Sequence, residues 1–97
     1  MDSEKIEQLY DNASKIGDYT RELTALRKEY QLAVCATVAG DTSRDDYESR
    51  SARASNQWAQ DNPAKIERMW WLVGEIEAIM TTVKAVEAAV FAERFAY

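Results

Sequence analysis

The side chains of this sequence that could do chemistry are 17 carboxylates, 12 lysines and arginines, one thiol and three indoles, and histidine is absent. Without imidazole the chain lacks the commonest general base, the usual metal ligand and every triad built on that ring. Cys35 is the only thiol, so a structural zinc site, which takes four nitrogen or sulfur ligands, cannot assemble. Cys35 stands between Val34 and Ala36 in an apolar stretch, and this reads as a buried, inert core residue rather than a nucleophile. Glu7 and Asp11, one helical turn apart, have the spacing to hold a hard cation or share a proton, yet nothing distinguishes them from ordinary acids on a helix surface. Asp41 to Glu48 holds four acids in eight residues but lacks the glycine and alternate ligands of a calcium loop and contains Arg44. It reads as a capped helix start. Gly17, Gly40 and Gly74 are too dispersed to cradle a phosphate. No catalytic residue, cofactor or metal site is expected.

The charge balance points the same way. A net charge of −5, spread evenly along the chain, argues against binding a phosphate backbone, for which a basic patch supplies most of the affinity. Arg44, Arg50 and Arg53 interleave with Ser49, Ser51 and Ser55 as in basic RNA-binding segments, but Asp45, Asp46 and Glu48 cancel that charge locally. Direct nucleic-acid binding is not expected. The longest apolar run, Met69-Trp70-Trp71-Leu72-Val73, is far below the roughly 20 residues that cross a bilayer, and no membrane association is expected. Asn12-Ala13-Ser14 matches a glycosylation sequon, but the start Met1-Asp2-Ser3-Glu4-Lys5 is polar where a signal peptide needs a basic start and an apolar run. The unpaired Cys35 agrees with a cytoplasmic location.

The elements that position these residues are helices. From Ser3 to Ala39, Ile6, Leu9, Tyr10, Ala13, Ile16, Leu23, Leu26, Tyr30, Ala33, Val34 and Thr37 follow steps of three and four, which predicts a first helix over 3–39, with Ser3 as N-cap and Gly40 as the stop. Gly17, costing about 1 kcal/mol relative to alanine inside a helix, marks the place for a kink. Ser43, with Asp45 and Asp46 behind it, predicts a second helix over 43–60, whose thin apolar face of Tyr47, Ala54 and Trp58 lies on the surface of the long pair. Asn62-Pro63 restarts the chain into a third helix over 63–95. In heptads from Ile66, positions a (Ile66, Val73, Met80), d (Met69, Ile76, Val83, Val90) and g (Leu72, Ile79, Val86) are apolar, with Trp70 and Phe91 at e and Trp71 at f. One partner helix cannot cover so wide a stripe.

The expected fold is therefore all-α, one domain over 1–97. Helices one and three form an elongated hairpin or three-helix bundle, helix two folds across one end, and helix three dimerises into a four-helix, coiled-coil-like core. Trp70 and Trp71 point about 100° apart on a helix, so both cannot enter one small core. One of them is expected to meet another chain, unless helix two covers Trp71. The predicted protein-contact residues are Trp58, Trp70, Trp71, Leu72, Ile79 and Val86.

Two resemblances bear on function. A long, a short and a long helix in 97 residues, with the apolar run Leu32-Ala33-Val34, resembles the small helical chorismate mutases. That resemblance implies an enzyme whose inward arginines and lysines hold a dicarboxylate. The sequence departs from the pattern with Ala13 and Tyr30 where two helix-one arginines are needed, leaving Arg27 as the one cation on the apolar face. In bulk properties the chain is similar to small phage-encoded inhibitors of the anti-CRISPR and anti-restriction type, which are acidic, compact and free of catalytic groups. The leading expectation is a non-enzymatic protein-interaction module, an acidic inhibitor, adaptor or assembly factor acting on a larger protein. The alternatives are an acidic nucleic-acid mimic that blocks a nucleic-acid-binding protein, and the mutase-like enzyme.

Overall fold

Three helices account for nearly all of the computed structural model, which describes residues 3–95: α1 (Ser3–Gly40), α2 (Tyr47–Asp61) and α3 (Pro63–Phe95). Met1, Asp2, Ala96 and Tyr97, on which the single-domain reading also falls, lie outside the described residues. The molecule is an elongated helical hairpin, measuring 68 × 23 × 16 Å. α1 runs on through Gly17 as one helix.

Local chemistry sets the ends. α2 begins three residues later than Ser43 would have it, because the N-cap is Asp46, whose Oδ1 accepts the Ser49 N–H at 2.8 Å. Ser43 is occupied instead in a turn, its own N–H donating to Asp41 Oδ1 at 2.8 Å. Arg53 reaches back from α2 to lock that link, donating to Asp41 Oδ2 at 2.9 Å and Ser43 Oγ at 2.8 Å, and pairing also with Asp45. Asn62 joins α2 to α3 alone. Its backbone N–H and side-chain Nδ2 both donate to Trp58 O at 2.9 Å, closing α2, while its carbonyl accepts the first α3 bond from Ile66 N at 3.1 Å. The asparagine side chain thus caps the end of α2 rather than the start of α3.

Both later helices run antiparallel to α1. Tyr30 on α1 meets Ser55 and Trp58 on α2, its hydroxyl bonded to Ser55 Oγ and its ring set edge-on to the indole at 5.3 Å. Glu29, Glu22 and Glu93 make ion pairs with Lys65, Arg68 and Lys5, respectively, so α3 retraces α1 toward its N-terminus. Exposed pairs of this kind contribute about 0–1 kcal/mol each, and their value is in fixing register. α2 consequently lies lengthwise on the C-terminal third of α1 instead of crossing the end of the hairpin, and α2 and α3 form a return limb bent at Asn62.

The core sits at that bend. Leu23, Ala54, Trp58 and Leu72 are the buried hydrophobic residues, and Leu72 is wholly enclosed. Between Ser3 and Glu22, and between Val73 and Arg94, no described side chain is buried. In α3 the half-buried apolar residues Ile66, Met69, Val73, Ile76, Ile79, Val83, Val86 and Val90 flank Leu72. Heptad positions d and g are thus covered along the whole helix, whereas position a is half-buried at Ile66 and Val73 and exposed at Met80. Cys35, expected in the core, is exposed, because α2 covers only the face of α1 that carries Tyr30, Ala33, Val34 and Val38.

Candidate protein-binding groove

The bend opens a groove of about 400 Å³ between α2 and the first turns of α3, floored by α1. Asn62 gives α2 and α3 separate axes, so their facing side chains part above α1. Leu23, Arg27 and Tyr30 come from α1, Ser55 and Ala59 from α2, and Ile66, Met69, Trp70 and Val73 from α3. The walls are mostly apolar. Tyr30 and Ser55 satisfy each other's hydroxyls at the back. Arg27 is exposed and is its one cation, with no ion pair among the described residues. The lining contains no histidine, lysine or carboxylate.

The two adjacent tryptophans take opposite flanks of the seam. Trp71 lies on one flank, where Tyr19 stands edge-on to it at 5.3 Å and the Arg68 guanidinium covers its ring at 4.3 Å from the centroid. Arg68 is itself held by Glu22, with Nη2 donating at 2.9 Å and Nε at 3.1 Å, and that carboxylate raises the guanidinium above its ordinary pKa. Neither α2 nor solvent alone accounts for Trp71, which stays 43 % exposed between its α1 neighbour and Arg68. Trp70 forms the lip of the groove on the other flank, 73 % exposed.

The remaining predicted contact residues divide by depth. Leu72 is fully enclosed and Trp58 is 8 % exposed, so both act inside the chain and are closed to a partner unless the bend opens. Ile79 and Val86 are half-buried along the α1 seam. Of the six, Trp70 alone lines the groove. Leu23, Arg27, Tyr30, Ser55, Ala59, Ile66, Met69 and Val73 complete it; among the polar ones Arg27 had a signal in the sequence, a cation on the apolar face of a helix.

Elsewhere the shifted groups are structural. Asp41 is lowered to about 2, first by the Ser43 backbone N–H and then by Arg53, and Asp46 is lowered by the Ser49 backbone N–H that it caps. Among the described residues no group of three or more Cys, Asp or Glu is arranged to hold a metal ion, and no helix is long and apolar enough to cross a membrane. No protein-family model, curated protein or solved structure matches the chain.

Proposed function

We propose that this chain is a non-enzymatic protein-interaction module, an inhibitor, adaptor or assembly factor that takes an apolar segment of a larger protein into the groove at its bend. The observation that carries this reading is Trp70, a large aromatic side chain exposed at the lip of an apolar groove. Monomer surfaces rarely leave such a residue uncovered, and buried aromatic anchors dominate protein interfaces. Arg27 at the same groove adds a requirement for a carboxylate on the incoming segment, so the ligand expected is an amphipathic helix with apolar anchors and an acidic residue beside them. The single thiol suits a cytoplasmic setting.

The two alternatives find less support. A dicarboxylate site needs several convergent cations, and this groove offers Arg27. A nucleic-acid mimic needs an unopposed row of acids, whereas Asp18, Glu22, Glu29, Asp41, Asp45 and Glu93 are each paired with a lysine or arginine. The test is affinity capture from a lysate of the organism that encodes the chain, with Trp70→Ala and Arg27→Glu as controls. One protein retained by the wild type and lost from both variants is the expected result. Retention that is indifferent to both substitutions contradicts the groove.

A further inference from the structure

α3 carries a second exposed feature, separate from the seam and running from the groove to the far end of the hairpin. Residues seven apart lie almost above one another on a helix, two turns of 3.6 residues falling just past seven. Trp70, Glu77, Lys84 and Phe91 form such a line, and all four are exposed, Phe91 by 65 %. On one side of the line stand Val73, Met80 and Glu87, and on the other Gly74, Thr81 and Ala88. The first rail is large and the second small. A Cβ placed on Gly74 would meet nothing within 4 Å, so the small rail is an open trough.

The order along the line is aromatic, acid, base, aromatic, and reversing it changes only the sign of the central pair. We propose that this line is a self-interface, on which a second copy of the chain docks antiparallel about a two-fold axis midway between Met80 and Thr81. That axis sets Glu77 against the partner's Lys84 and Lys84 against the partner's Glu77. Trp70 meets the partner's Phe91 beside the groove, and Phe91 meets the partner's Trp70 at the other end. The rails exchange: Val73 faces the partner's Ala88, Met80 the partner's Thr81 and Glu87 the partner's Gly74, large against small throughout. Among the described residues neither Glu77 nor Lys84 makes an ion pair within its own chain. The contact spans about 31 Å of helix, and the slow drift of a seven-residue line gives it the shallow left-handed crossing of about 20° found in helical bundles. Such an isologous contact closes on itself and yields a dimer, not a fibre. The interface goes beyond the groove reading and shares Trp70 and Val73 with it, leaving Arg27 to the groove; Glu77 and Lys84 line no part of the groove, so their variants test the interface alone.

Charge reversal tests it on the purified chain, with mass measured by sedimentation across a concentration series and helicity checked by circular dichroism. The wild type is expected to be a dimer. Glu77→Lys and Lys84→Glu are each expected to weaken association at least tenfold, since each opposes like charges twice across the axis. The double variant E77K/K84E is expected to recover the dimer, and equimolar mixing of the two single variants to produce a heterodimer. A wild type that stays monomeric, single variants that associate as the wild type does, or a double variant that fails to recover each overturns the interface.

Discussion

Leu72 and Met80 lie two turns apart on α3, and both are large and apolar, yet one is wholly enclosed and the other is 46 % exposed. The difference is in their neighbours. Leu72 lies in the stretch of α3 whose neighbours Arg68 and Trp71 meet Glu22 and Tyr19 of α1, between the groove-lining residues Trp70 and Val73. At Met80 only α1 lies alongside, and a two-helix arm has no side on which a third row of side chains can hide. Ile6, Tyr10 and Phe91 are exposed along the same arm. The four buried hydrophobic residues all lie between Leu23 and Leu72, although Leu32, Tyr47 and Trp70 stay exposed there, so burial follows which face a neighbouring helix covers rather than hydropathy alone.

The sharpest way to break this contrast is Leu72→Ala. Emptying a fully enclosed site costs about 2–5 kcal/mol, a large part of the roughly 5–15 kcal/mol that holds a domain together. Ile79→Val, on the half-buried arm seam, removes one methyl and is expected to cost under about 1 kcal/mol. Urea denaturation of both variants checks the ratio; equal losses would mean that the arm is packed as tightly as the bend.

A smaller effect, of opposite sign, is expected from Gly17→Ala in the arm. The added Cβ would meet only Arg21 Nη1 at 3.6 Å, an ordinary contact, so the helix gains about 0.5–1 kcal/mol from the loss of glycine's freedom. Thermal melting should shift upward by a few degrees. A drop in melting temperature would show that Gly17 serves a close approach.

The smallest effect belongs to the link beyond the bend. Asp41 titrates at about 2 in the folded chain against an ordinary 3.8, so its contribution to stability is complete above the ordinary value and is lost as the pH falls toward 2. Arg53→Gln removes the second-largest cause and leaves the Ser43 N–H, so the Asp41 pKa should rise only part of the way back, as followed by NMR titration of the carboxyl carbon. An unchanged titration would mean that Arg53 does not hold the link.

Helix number, the long first helix and the restart at Pro63 were all legible, because periodicity, glycine and proline act locally. The seam was not. With three apolar positions per heptad, α3 offers two seams, and the loss of position a from the covered face at Met80 is set by where α1 lies, which sequence spacing does not encode. Cys35 misled for a related reason: of its apolar neighbours Val34 is half-buried, while the thiol and Ala36, further round the helix, are exposed. Ser43 and Asp46 are both sound caps, and the choice between them was decided by Asp41 and Arg53 acting across the link. The groove depended on three segments meeting and left two traces in sequence, Trp70 beside a second tryptophan and the arginine on an apolar face.

The contrast between bend and arm is tested most directly by native-state hydrogen exchange of the purified chain at low and high protein concentration. Amides from Thr81 to Val90 are expected to exchange faster than those around Leu23, Trp58 and Leu72 when the chain is dilute, and to gain protection as concentration rises and the α3 line is covered. Equal protection of arm and bend at every concentration would contradict both the two-region account and the dimer.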